Sequence, residues 1–176
     1  RLKTGMIMGL LRFIANLKFL SEARRLELYP PFFKMHVKVL EMRDNWRHVR
    51  LRLPLTAFSS NLSGDMFGGW QAALADPIAA LACARVFPGY SVWTRAMNLD
   101  YRKGGRTDLE LRFDMNPEQE TAIRAELTAN DRATPTFEYG YYLTDGSLCT
   151  LVRNTVAIRP KGYVKSEPEQ LDLNKV

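Results

Sequence analysis

Between Asn61 and Pro77 the chain reads NLSGDMFGGWQAALADP, and these residue types at this spacing could carry acyl-transfer chemistry. Gly68 and Gly69 stand side by side at the mouth of an alanine-rich helix, and Asp76 lies about two turns further in. A helix start offers backbone N–H groups without partners and the positive end of the peptide dipole. Glycine lets a carbonyl oxygen come close to those amides, so the site can hold a developing oxyanion. A carboxylate nearby can then activate water or attack directly.

Each of these residues also has a purely structural reading. Asp76 before Pro77 suits the N-cap of a half-helix that begins at the proline, the alternative being one helix kinked there. The paired glycines can serve close packing of loop on sheet. Asn61 can be a turn residue whose side chain bonds nearby backbone. Arg102, Lys103 and Arg106 flank Gly104-Gly105 and fit either the phosphates of a carrier or a solvated basic turn. Trp93 and Tyr101 read as core or subunit contact. Ser59, Ser60 and Ser63 lack a nucleophile-elbow setting and receive no nucleophilic role.

The elements that must position these groups belong to a chain of 176 residues, which fits one domain with a real core. A hydrophobic fraction of 46% and a charged fraction of 25% are ordinary for a globular protein. Cys83 and Cys149 read as small buried hydrophobes in a reducing compartment, so a cytoplasmic setting is expected. His36 and His48 stand apart from any second ligand, and no metal is expected. The net charge of +6 fits a phosphate-bearing partner such as coenzyme A, or simply a solvated basic surface. An RNA-binding sheet signature, a zinc finger and a basic helix run are all missing, so nucleic acid is not an expected partner. In residues 6–20, Ile7, Leu10, Leu11, Ile14 and Leu17 recur at helical spacing between Arg12, Asn16 and Lys18. That amphipathic segment is expected to pack on the domain or a partner subunit, with membrane-surface contact as the alternative.

Pro30-Pro31 is expected to end the N-terminal helical region and begin an extended one. Alternation over 34–42 and 49–53, with Asp44-Asn45 between, predicts a hairpin. Residues 55–67 read as a loop, and 68–86 as a helix apolar nearly all round and therefore buried. Further strands are expected over 92–102, 109–115, 137–143 and 148–158. Asn116-Pro117-Glu118-Gln119 has the grammar of a capped helix start, with Gln119 reaching back. The division is an N-terminal helical extension over 1–33, the main domain over 34–160 and a polar, disordered tail over 161–176. One long helix with a run of antiparallel strands gives an α+β domain.

Asn61, Gly64, Gly68-Gly69, Leu74-Ala75-Asp76 and the strand from Trp93 to Tyr101 together resemble the hot-dog-fold acyl-CoA thioesterases. The closer likeness is to a bacterial, thioesterase-like branch related to the phenylacetate-type enzymes. That branch shares an Asn-x-x-Gly-x-Met/Ile-Phe-Gly-Gly loop, seen here as Asn61 to Gly69. It also shares Ala75-Asp76-Pro77 and Tyr90-Ser91-Val92-Trp93, and the resemblance spans roughly Phe33 to Arg159. It implies a hot-dog fold, an antiparallel sheet wrapped around one long apolar helix. It implies Gly68 as oxyanion donor, Asp76 of the facing subunit as base or nucleophile, and Asn61 as a positioning group. Gly69, Met66, Phe67 and Trp70 would border an acyl slot, and Arg102, Lys103 and Arg106 would meet carrier phosphates. The implied substrate is an acyl thioester, with coenzyme A as part of it and no separate cofactor, and the implied assembly is a homodimer or a dimer of dimers. Phe67 departs from the phenylacetate-type pattern, which has His there, and this favours the rival reading of a non-catalytic acyl-CoA or lipid binder.

Overall fold

The structure is a computed structural model that describes residues 20–163. The amphipathic segment expected over 6–20, save Leu20, and the tail beyond Tyr163 lie outside the described residues.

Two short helices open it. Helix α1 (Glu22–Glu27) is capped by Ser21, whose hydroxyl accepts from the Arg24 amide at 3.2 Å. Pro30-Pro31 does not begin an extended stretch as expected. The two prolines occupy the first turn of helix α2 (Pro30–Lys34), where a missing N–H costs nothing, and Phe32 is buried behind them.

Six antiparallel strands follow: β1 (Lys38–Arg43), β2 (His48–Leu53), β3 (Tyr90–Tyr101), β4 (Leu109–Asp114), β5 (Thr136–Tyr142) and β6 (Leu148–Pro160). They form one sheet in the order β1-β2-β4-β5-β6-β3, which leaves β1 and β3 as its edges. Strict alternation is clearest in β2 and β4: Val49, Leu51 and Leu53 pair with Phe113, Leu111 and Leu109, and all six are fully buried.

The central helix α3 (Gly68–Val86) lays Leu74, Ala75, Ile78, Ala79, Ala82 and Cys83 into that core. It runs through Pro77 without restarting, so Asp76 is not an N-cap and the half-helix alternative falls. Pro77 removes one intrahelical donor and crowds the preceding turn. The sheet anchors the helix beside it: Thr94 Oγ1 and Asn154 Nδ2 reach the Asp76 carbonyl at 2.7 and 3.0 Å, and the Tyr139 hydroxyl reaches that of Ala75 at 2.7 Å. The helix is not buried all round, as its composition had suggested. Gly69, Ala73, Asp76 and Ala84 stay exposed at helical spacing, because the sheet covers one side only.

Helix α4 (Pro117–Asn130) is capped by Asn116, whose Oδ1 accepts from the Gln119 amide at 2.7 Å. The Gln119 side chain does not fold back on the cap. It donates to the Thr136 carbonyl at 3.1 Å and ties the helix to β5 instead.

Candidate active site at the start of the central helix

The loop before α3 is built by its own polar groups. Asn61 Oδ1 accepts from the amides of Ser63 and Asp65 at 2.9 and 3.1 Å, and the Asn61 amide donates to the Asp65 carbonyl at 2.7 Å. Gly64 sits inside this turn at φ +81°, where a side chain would be strained. Asn61 therefore does the work of a turn residue, and its Oδ1 is committed to the loop.

Beyond the turn, the Met66 amide donates to Gly105 O at 2.8 Å and the Phe67 amide to Ser59 O at 2.7 Å. Phe67 is the N-cap of α3 but has no side-chain oxygen to offer. The amides of Trp70 and Gln71 both turn back to Phe67 O, at 3.0 and 3.5 Å. The N–H groups of Gly68 and Gly69 are left without a partner among the described residues.

These two glycines open onto a cavity of about 520 Å³. Of the expected residues, Asn61, Met66, Gly68, Gly69, Arg102 and Lys103 line it. Asp65, Gln71, Tyr101, Gly104 and Gly105, none of them singled out as site residues, join them. A side chain at any of these glycines would have to displace a neighbouring one. A Cβ on Gly68 would meet the Tyr101 hydroxyl at 2.9 Å, and one on Gly69 would run into the Phe67 ring. A Cβ on Gly104 would meet the Asp65 carboxylate at 2.8 and 2.9 Å. Tyr101 donates to Gly68 O at 3.0 Å, and partial burial raises its pKa. Asp65 turns one buried oxygen, Oδ1, inward without a hydrogen bond, with Arg106 Nε 3.4 Å away.

The basic trio divides. Arg102 is held by Asp100 at 2.8 Å and Arg106 faces Asp65, while Lys103 makes no ion pair among the described residues. Phe67 and Trp70 do not line this cavity. Phe67 is 53% exposed, and Trp70 donates through Nε1 to Phe58 O at 3.1 Å beside a separate cavity of about 210 Å³ that Met35 and Phe58 border. Asp76 does not line it either. Eight residues after Gly68, it lies about 12 Å further along the helix, is exposed, and has no hydrogen bond or ion pair to its carboxylate among the described residues.

Sequence reasoning missed Gln71, Asp65 and Tyr101. A lone glutamine in an otherwise apolar helical run was the signal for the first: Gln71 is 2% exposed, with Oε1 accepting from Thr150 Oγ1 at 2.6 Å. No three His, Cys, Asp or Glu side chains gather as a metal site among the described residues, and no described helix is long and apolar enough to cross a membrane.

A family model for DUF4442, a domain of unknown function, matches residues 19–154. No curated protein matches the sequence. Among solved structures, a Pseudomonas aeruginosa protein considered a probable thioesterase is similar at 18% identity and TM-score 0.69, covering 78% of this chain and 93% of that one. A thioesterase from Haemophilus influenzae is similar at 13% identity and TM-score 0.62, covering 84% and 96%. A third, a variant thioesterase from Pseudomonas aeruginosa, has 13% identity and TM-score 0.61, covering 79% and 92%. The architecture is thus α+β and hot-dog-like, the fold that these solved structures share.

Proposed function

We propose that this chain, which belongs to the DUF4442 family, hydrolyses an acyl-CoA-like thioester. The observation that carries this reading is the pair of unpartnered N–H groups at Gly68 and Gly69, facing a cavity. Donors of this kind, fixed before the reaction, oppose the charge that develops on a thioester oxygen and can be worth roughly 3 kcal/mol each.

The second half of the chemistry is a carboxylate. Asp76 is too far along α3 to serve the glycines of its own protomer, yet it stands free on the exposed stripe with Ala73. In a two-fold homodimer packed through that stripe and the unpaired edge β3, Asp76 of one protomer meets Gly68 of the other. It takes a proton from water, which adds to the carbonyl carbon. The tetrahedral oxyanion rests on the glycine amides, then collapses with cleavage of the C–S bond and departure of the thiolate. Direct attack by the carboxylate would instead give an anhydride that water then opens. Lys103, with Arg102 and Arg106 beside it, is suited to the phosphates of coenzyme A. Two free, buried cysteines fit a reducing, cytoplasmic setting.

Release of free thiol from a panel of acyl-CoAs tests this reading. Wild-type protein is expected to turn over, and Asp76→Ala to lose about 10³-fold, the scale of a lost general base. A wild type no faster than the variant contradicts it. Phe67 favours one alternative, since an apolar ring stands where the phenylacetate-type enzymes carry a polar His. A non-catalytic acyl-CoA binder would retain its ligand without releasing thiol.

A further inference from the structure

Gln71 is buried on α3, three residues after Gly68 and so on the same side of the helix start. Both its carbonyl groups are tied down. The side-chain Oε1 accepts from Thr150 Oγ1 at 2.6 Å, and the backbone oxygen accepts from the Tyr141 hydroxyl at 2.6 Å. Thr150 and Tyr141 are themselves fully buried on β6 and β5, so one strand holds the side-chain amide and the other the main chain beneath it. With Oε1 fixed on Thr150, the Nε2 donors are the free end. They have no partner among the described residues, and Gln71 borders the cavity onto which the Gly68 and Gly69 amides open. A glutamine kept only for packing would have both ends satisfied or be replaced by an apolar residue of its size.

We infer that Gln71 Nε2 is a third donor to the substrate carbonyl, the side-chain partner of the Gly68 and Gly69 amides. This rests on the thioester reading above and adds to it the residue that replaces the polar group missing at position 67. The Phe67 ring lies over Gly69 and contributes no donor, whereas Gln71, one helical turn on, borders the cavity and carries one. Thr150 is a positioning residue: its hydroxyl sets which end of the amide faces the ligand.

The test uses two families of stable ligands over short, medium and long chains. One is acyl-CoA with CH2 in place of the thioester sulfur, which keeps the carbonyl but cannot be cleaved. The other is the matching S-alkyl-CoA, which has no carbonyl. Wild-type protein is expected to bind the ketone about a hundredfold tighter than its S-alkyl counterpart, the combined worth of three well-placed donors. Gln71→Met should cut that preference about tenfold, the glycine amides keeping the rest, while leaving S-alkyl binding within about twofold. Thr150→Val should move the preference the same way and Thr150→Ser should keep it. A variant that does not fold loses both ligands and its melting transition, and Thr150→Val then decides. A ketone preference unchanged in Gln71→Met or Thr150→Val overturns the assignment and leaves the thioesterase reading standing. A wild type that binds neither ligand overturns both.

Discussion

The two ends of α3 are treated in opposite ways. At its C-terminal end three of the last carbonyls are engaged, two of them by side chains from outside the helix. Asn45 Nδ2 donates to Arg85 O at 3.1 Å, Arg124 Nη2 donates to Val86 O at 3.3 Å, and the Phe87 amide closes on Cys83 O at 2.9 Å. Arg47 grips Glu120 through two bonds of 2.6 and 2.9 Å, and Arg124 joins the same carboxylate. Trp46 is buried beneath Arg85, and Arg124 lies over the ring of Phe87. Cations gathered there suit the negative end of the helix dipole. Burial pushes the Cys83 thiol up to about 12, so it is inert. At the N-terminal end the cap residue has no side-chain oxygen, two amides lack partners and a cavity adjoins them. One end is closed for stability and the other is left open for a ligand.

That contrast can be broken from the closed side. Trp46→Ala removes a side chain that is 2% exposed, and should lower unfolding free energy by about 3 kcal/mol in urea titrations. Turnover per folded molecule should not change. A loss of activity without a loss of stability would mean that the closed end also takes part in chemistry.

From the open side, Gly68→Ala places a methyl group 2.9 Å from the Tyr101 hydroxyl. That phenol can swing aside, so the melting temperature should hold while kcat falls about 10- to 100-fold, less than the effect at the closed end in energy. Tyr101→Ala in the same chain should recover part of the loss by making room.

The smallest effect concerns acid. Arg47, and behind it Arg124, hold the Glu120 carboxyl at about 2, against an ordinary 4.5. A depressed carboxyl contributes fully above about 4.5, and that contribution is lost as pH falls towards 2. Wild-type stability should therefore drop across that window in denaturant titrations, and Glu120→Gln should flatten the drop. An unchanged slope in the variant would show that the Arg47 contact adds little to the closed end.

Most of what the sequence reveals about this molecule is local. The β1–β2 hairpin follows from alternation around Asp44-Asn45, and the α4 start from Asn116-Pro117, because partners one to four residues apart decide both. At Pro30-Pro31 the local signal misleads, since proline suits the first turn of a helix as well as the extended chain expected there. What stayed hidden depends on distant residues. The Asp76 carbonyl beside Pro77 is held by Thr94 and Asn154 of the sheet, and Gln71 is explained only by Thr150 and Tyr141. The glycines and the loop at the site were legible as a motif. That Trp70 and Phe67 turn away from the cavity, and that Asp65, Tyr101 and Gln71 line it, follows from how β3 and its loop fold over the helix start.

The central claim is that the open helix end works with Asp76 from a second copy of the chain. Mixing two inactive variants, Gly68→Val and Asp76→Asn, under conditions that exchange subunits tests it most directly. Heterodimers would each hold one site with both groups intact, so thiol release should return to about a quarter of the wild-type rate. A mixture as inactive as its components, with exchange verified by mass, would contradict the claim.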